Sequence, residues 1–162
     1  DPAFYKKFSQ LLEETIAAYE QARIDEIEYL KRVTECMNKV LSHTDSDIPV
    51  SIQNNNAARA YFGLSLEVYK MIMKDGAEIN LKEMALNTAN AIDTIIKEHI
   101  MDNEMIIIDW PNKGNIIGKI KIEIEDYLID EVKRMYNLPI SFDDMDLIID
   151  RCVEVAKLWF KQ

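Results

Sequence analysis

The sequence predicts an all-α protein, an irregular bundle of about six helices, with residues 105–110 as the candidate for one short extended segment. Three observations lead to this fold class. Apolar residues recur every three or four positions along most of the chain, which is the spacing of one helix face. Only 4 Gly and 4 Pro occur among 162 residues, too few for the tight turns of a β-sandwich. With 48% hydrophobic and 30% charged residues, the chain has a globular composition and is long enough to form a core without disulfide bonds.

Two helices are predicted ahead of a polar stretch. The first runs over residues 4–19, and the second begins at a capping box of Asp25 and Glu28 and ends in the polar run that starts at Thr44. The first helix places these apolar residues on one face: Phe4, Phe8, Leu11, Leu12, Ile16 and Tyr19. Residues 45–56 are polar, include Pro49, and form the best internal boundary, but they are too few to separate two cores. We therefore expect one helical domain over residues 1–162.

A third helix is predicted over Ala57–Lys74, with Gly76 as its stop, although Gly63 leaves two shorter helices as an alternative. Asn80 is expected to cap a fourth helix, with Glu83 in the reciprocal position. The inward face predicted for this fourth helix consists of Leu81, Met84, Ala85, Thr88, Ala91, Ile92, Ile95 and His99.

Residues 105–110 form an apolar run followed by Pro111, which favours an extended segment or a turn. The only strand partner suggested by the sequence is Lys119–Glu125, where isoleucines alternate with charged residues. The same residues also fit a longer helical pattern that continues to Tyr136, and we favour the helix because the longer pattern is the stronger signal. That helical stripe consists of Ile117, Ile120, Ile124, Leu128, Val132 and Met135.

Ser141 is expected to cap the last helix, whose first turn is rich in aspartates that suit the helix dipole. Its predicted core stripe consists of Phe142, Met145, Ile148, Ile149, Cys152, Val153, Ala156 and Phe160.

The chain carries no recognisable catalytic motif. It has no phosphate-binding loop, and the one acid-x-Lys pair, Glu131 and Lys133, would point to different sides of a helix. The two histidines, His43 and His99, stand outside any metal-ligand spacing. We therefore predict no catalytic residues, no metal and no cofactor in this chain. Cys36 and Cys152 lie 116 residues apart without metal-type spacing and are expected to be buried thiols of a cytoplasmic protein. No run of eighteen apolar residues is present, so no membrane span is expected.

One basic segment interrupts an acidic chain. The formal net charge is −10, yet residues 110–122 contain no acid and carry Lys113, Lys119 and Lys121. One interpretation is a phosphate-contacting patch for DNA. The favoured alternative is a set of solvated i,i+4 pairs, Lys119 with Glu123 and Lys121 with Glu125. On a helix, Lys119 and Lys121 diverge by about 200°, so only a strand would place them on one face.

Several elements together resemble one known family. They are the opening Asp1–Ser9 with Leu11–Glu14, the central Ile108-Asp109-Trp110 entering a long Ile- and Lys-bearing segment, and a closing helix that ends in Ala156-Lys157. The chain resembles the C-terminal helical domain of the motor (restriction, R) subunit of type I restriction–modification enzymes. The likeness covers most of the chain outside residues 45–56, and Ile108-Asp109-Trp110 followed by Lys113 is its most specific part.

The resemblance implies a non-catalytic domain of a larger subunit, in agreement with a sequence that opens on Asp1 rather than Met. In that family the nuclease and the ATP-driven translocase lie upstream, so ATP and Mg²⁺ are expected only in the parent subunit. The implied partners are the methyltransferase and specificity subunits, together with a weak contact to DNA. By likeness, Asp109 and Trp110 are either docking residues or structural anchors. The alternative from another class is an unrelated intracellular helical adaptor that binds a protein partner through an apolar groove.

Overall fold

The structure, a computed structural model, describes residues 2–44, 48–73 and 80–160 and confirms the all-α fold class. Within these residues the six α-helices are α1 (Pro2–Glu20), α2 (Glu26–Thr44), α3 (Asn56–Ile72), α4 (Leu81–Ile100), α5 (Gly114–Tyr127) and α6 (Phe142–Trp159). Helix α4 is followed by a short antiparallel hairpin with two residues in each strand, β1 (Met101–Asp102) and β2 (Met105–Ile106). Short 3₁₀ turns cover Val50–Ile52 and Trp110–Asn112, and a π-helix covers Leu128–Met135. No helix in the described ranges is long and apolar enough to cross a membrane.

The chain forms two compact units, residues 1–48 and 49–162. Their boundary lies inside the polar stretch 45–56 that the sequence marks as its best internal boundary. The expectation of a single domain over residues 1–162 stays a prediction.

The first unit is a helical hairpin of α1 and α2. Its turn is closed by the backbone N–H of Arg23, which donates to the carbonyl oxygen of Ala18 at 2.9 Å, and Ala22 adopts a left-handed conformation. Asp25 caps α2 as predicted, because its Oδ1 accepts from the backbone N–H of Glu28 at 2.8 Å. The Glu28 carboxylate forms an ion pair with Arg32 at 2.8 Å.

In the second unit α3 is the central helix. All but one of its residues from Ala57 to Tyr69 are buried. Gly63 does not divide α3, so the alternative of two shorter helices is wrong, and the helix begins where Asn55 Oδ1 accepts from the N–H of Ala58. The predicted stop at Gly76 lies outside the described residues.

Helix α4 starts as predicted, since Asn80 Oδ1 accepts from the backbone N–H of Glu83 at 3.1 Å. Its inward face is rotated from the predicted one. Met84, Ala85, Thr88 and Ile92 are buried as expected, together with the unpredicted residues Ala89, Ile96 and Ile100. Leu81, Ala91, Ile95 and His99 are only half-buried. The rotation arises because α4 packs against both α3 and α5, which draws a wider stripe into the core.

The helix expected from residue 117 to 136 is present, in two parts. Helix α5 passes into the π-helix, and Ile120, Ile124, Leu128 and Val132 are buried as predicted. Met135, predicted to be in the core, is 75% exposed. A π-helix bonds i to i+5 and therefore takes more residues per turn than an α-helix. Tyr136, the next residue, is half-buried, and its hydroxyl accepts from Asn87 Nδ2 at 2.6 Å.

The short extended segment predicted at residues 105–110 is present in part, as strand β2, and its partner is not the alternative considered at residues 119–125. Met105 and Ile106 pair with Asp102 and Met101, the residues that directly precede them, and not with residues 119–125. Two residues per strand are too few to show alternation, so the sequence pattern carried no signal for this hairpin.

Helix α6 begins with a complete capping box. Ser141 Oγ accepts from the N–H of Asp144, and Asp144 Oδ2 accepts from the N–H of Ser141. Phe142, predicted to be in the core, is 56% exposed beneath the Lys133 ammonium group, whose nitrogen lies 5.2 Å from the ring centroid. The first residue of a helix lies at the rim of the packed face, which explains the difference.

Replacing Glu104 with glycine is expected to raise the free energy of unfolding by about 1 kcal/mol, because a side chain at positive φ is strained and glycine is not. Asn103 and Glu104 occupy the two-residue hairpin turn with φ of 50° and 68°, a turn type that favours glycine at the second position. Urea unfolding measures the difference. Glu98→Gly, on the exposed side of α4, is the control and should lower stability; a loss in both variants would contradict the prediction.

Candidate docking site at the Trp110 junction

The junction between the hairpin and α5 is fixed by a buried tryptophan. Trp110 is 0% exposed, and its indole Nε1–H donates to the carbonyl oxygen of Phe160 at 2.8 Å. This bond ties the start of α5 to the end of α6, fifty residues later. The backbone N–H of Lys113 closes the turn by donating to the Trp110 carbonyl oxygen at 3.0 Å. Trp110 is therefore a structural anchor in this fold.

Asp109 sets the direction in which the chain enters that turn. It adopts a left-handed conformation with φ of 60°, which aspartate tolerates better than most residues. Its Oδ1 accepts from Asn112 Nδ2 at 2.7 Å, and its carbonyl oxygen accepts from the Asn112 N–H at 3.0 Å. Asp109 itself is exposed. Of the three residues that carry the family resemblance, Trp110 is buried, whereas Ile108 and Asp109 are exposed.

The segment in front of this anchor, residues 101–108, exposes large apolar side chains. Met105 is 72% exposed and Ile108 is 76% exposed, while Met101 is 38% exposed. Exposed apolar residues that stand close together mark interaction sites more often than isolated ones do. The apolar character of this segment was visible in the sequence, but its exposure was not.

The three lysines predicted as DNA contacts do not form one surface. Lys119 and Lys121 lie on helix α5, so their side chains diverge by about 200° around its axis. Lys113 precedes the first residue of that helix and is exposed. The Lys121 ammonium group forms an ion pair with Asp150 of α6 at 3.3 Å.

In place of the predicted i,i+4 ion pairs on α5, Glu123 and Lys121 make contacts with other helices. Glu123 lies beside His99, with 2.9 Å between Oε1 and Nε2, instead of pairing with Lys119. Lys121 pairs with Asp150 rather than with Glu125. The side chains of Glu123 and Lys121 thus contact residues of α4 and α6 rather than residues of their own helix.

The DNA contact of Lys113, Lys119 and Lys121 stays a prediction, and it has a direct test. If each lysine binds one phosphate, replacing all three with alanine should weaken DNA binding and flatten its salt dependence by about one unit of logarithmic slope per lysine. Fluorescence anisotropy over a salt series measures both quantities. Equal affinity and slope for the parent and the triple variant would contradict the prediction.

A buried polar group that sequence reasoning missed lies between α3 and α6. Arg151 Nη1 is 3.5 Å from Glu67 Oε1, and the two side chains are only 6% and 1% exposed. Tyr61 is fully buried in the same helix as Glu67, and burial, followed by the influence of Cys152 and Asp93, raises its pKa well above the ordinary value. Nothing in the sequence distinguishes Arg151 from the other charged residues of α6, since only the packing of α6 on α3 buries it.

A second buried network joins α3 to α4. The hydroxyl groups of Tyr69 and Thr88 lie 2.8 Å apart, and Thr88 donates to the Met84 carbonyl oxygen at 2.8 Å. Burial raises the pKa of Tyr69 and also that of the Cys152 thiol. Tyr69 and Cys152 therefore stay neutral at physiological pH. The hydrogen bonds of Tyr69 and Thr88 join α3 to α4 within the core.

The first unit contains a crevice of about 500 Å³ between α1 and α2. Arg23, Arg32, Glu14, Glu35 and Cys36 contribute to its lining. None of the site residues predicted from the sequence lines this crevice.

In the described ranges, no three His, Cys, Asp or Glu side chains are grouped so that they could hold a metal ion.

The residues that carry the resemblance to type I restriction motor subunits, Ile108, Asp109 and Trp110, thus meet at one junction with distinct roles in the fold. Ile108 faces solvent, Asp109 sets the turn, and Trp110 lies in the core. Comparison of the chain with protein-family models, with curated proteins and with solved structures finds no match.

Proposed function

We infer that this chain is a non-catalytic helical docking domain of a type I restriction motor subunit, and that it joins the motor to the methyltransferase–specificity core. The observation that carries the proposal is the Trp110 junction. It combines the motif that resembles the family with a buried anchor and an exposed apolar hairpin, which is the arrangement expected of a preorganised binding element.

The physical argument rests on how the junction is held. Trp110 is buried and its indole N–H is bonded, so the segment in front of it has a fixed direction. Met105 is then exposed on the short hairpin, and Ile108 is exposed in the turn between the hairpin and Trp110. Presenting apolar groups in a fixed geometry lowers the entropy lost when a partner binds.

In this proposal the parent subunit performs the chemistry. The ATP-dependent translocation and the cleavage of DNA belong to upstream domains, with ATP and Mg²⁺ as their cofactors, in the cytoplasm. The 162-residue chain contributes assembly and no catalytic residue. A nuclease or ATPase assay on the isolated chain should therefore give no activity above background, and reproducible metal-dependent activity would overturn this part of the proposal.

Size-exclusion chromatography tests the assembly role. The purified chain is mixed with the methyltransferase–specificity complex of the same restriction system, and we expect the two to elute together. In the reciprocal experiment, a full-length motor subunit lacking residues 1–162 should fail to join that complex. A truncated motor that assembles as well as the intact one would refute the proposal.

A further inference from the structure

We propose that the hairpin surface, formed by Met101, Asp102, Glu104, Met105, Ile108 and Asp109, inserts into a cleft of a partner protein that is apolar at its centre and lined with lysine or arginine at its rim. This inference rests on the proposed docking function and names the chemistry of the partner surface. Three properties of the hairpin surface carry it: exposed apolar groups, local negative charge, and a fixed backbone.

The apolar groups are concentrated in a few residues of sequence. Met105 and Ile108 leave about three-quarters of their surface in solvent, at 72% and 76%. In the hairpin register Met105 is opposite Asp102, so these two side chains share one side of the ribbon. An apolar group therefore stands directly beside a carboxylate. A matching partner needs an apolar pocket with a cation next to it.

The charge of this surface is of one sign. Asp102, Glu104 and Asp109 are exposed carboxylates, and no Lys or Arg occurs between residues 98 and 112. Among the described residues, Asp102 and Glu104 form no ion pair. Three uncompensated carboxylates repel the phosphates of nucleic acids and of anionic lipids. The same charges attract a protein surface rich in lysine or arginine.

The backbone of the hairpin surface is held in one shape. Asn103, Glu104 and Asp109 are three of the five non-glycine residues with positive φ in the described chain, and all three fall within seven positions. Strained residues of this kind persist where the surroundings fix them, and they concentrate at binding elements. Here the fixing contacts are the bond from the N–H of Ile107 to the carbonyl oxygen of Ile100, at 2.7 Å, and the buried Trp110 behind it.

Binding of the 162-residue chain to the purified methyltransferase–specificity complex, followed by biolayer interferometry, tests the inference with two variants. The apolar variant Met105→Ser/Ile108→Ser should weaken binding about tenfold or more, because central apolar contacts dominate interface affinity. The charge variant Asp102→Asn/Glu104→Gln/Asp109→Asn should bind more slowly than the parent. It should also lose much of the parent's sensitivity to an increase from about 50 to about 300 mM salt.

Matched controls change the same groups elsewhere on the second unit. Val50→Ser/Met135→Ser removes two apolar side chains that are 82% and 75% exposed, and Asp126→Asn/Glu131→Gln/Asp146→Asn removes three exposed carboxylates. We expect both controls to bind like the parent, and circular dichroism verifies that every variant is folded. Parent-like binding by the two hairpin variants would overturn this inference alone. No binding by the unmodified chain would overturn the proposed function and this inference together.

Discussion

Replacing Trp110 with alanine is expected to lower the free energy of unfolding by about 3–5 kcal/mol. Trp110 is fully buried, so the change leaves a cavity at the point where the hairpin meets α5. It also removes the hydrogen bond to the Phe160 carbonyl oxygen, which joins the start of α5 to the end of α6. Guanidinium unfolding followed by circular dichroism measures the loss.

Two further variants separate the causes of that loss. Trp110→Phe keeps most of the buried ring but removes the indole N–H, so its loss should lie between those of the parent and the alanine variant. Trp159→Ala deletes the same side chain at a position that is 37% exposed, and it should lose less than half as much. Equal losses at Trp110 and Trp159 would show that the junction is not held by burial of Trp110.

Replacing Arg151 with methionine is expected to lower the free energy of unfolding by about 3–5 kcal/mol, because the Glu67 carboxylate then loses its nearby counter-charge inside the core. The two side chains are 6% and 1% exposed, so water cannot substitute for the guanidinium group. Urea unfolding of the parent and the variant gives the difference. The matched control is Arg134→Met, which removes an ion pair of the same 3.5 Å length at side chains that are 74% and 62% exposed. Its loss should be about 0.5 kcal/mol or less.

The double variant Glu67→Leu/Arg151→Met completes the cycle. Because it removes both charges and fills the space with apolar groups, it should recover most of the stability lost by Arg151→Met. The cycle also needs the single variant Glu67→Leu. If the double variant loses as much unfolding free energy as the two single variants lose together, Glu67 and Arg151 act independently. The expected recovery would mean that the buried pair adds little net stability compared with apolar residues in the same space.

Helix beginnings were predictable from the sequence because they depend on neighbours. Asp25, Asn55, Asn80 and Ser141 each accept a bond from a backbone N–H three residues later. Of these, the sequence predicted Asp25, Asn80 and Ser141. The choice of helix over strand for the isoleucine-rich segment was also confirmed. There the helical pattern extends over many residues and outweighs an alternation that extends over only seven.

The candidate site was only half predictable. Ile108, Asp109 and Trp110 stood out in the sequence, but the choice between anchor and docking residue needed the structure, because burial of Trp110 depends on α6. The hairpin partner at Met101 escaped notice because it directly follows a strong helix, and two-residue strands leave no pattern. The burial of Arg151 was not predictable, because a charged residue on an amphipathic helix is usually solvated.

The sequence by itself determined the fold class and where most helices begin, because capping and helical spacing act between residues three or four apart. The tertiary structure alone decided which of those helix faces is buried and which charges meet. Lys121 pairs with Asp150, Glu123 lies beside His99, and Met135, at the end of the π-helix, is exposed. The contacts of Lys121 and Glu123 depend on α6 and α4, and local spacing contains no information about neighbours that meet only in the folded chain.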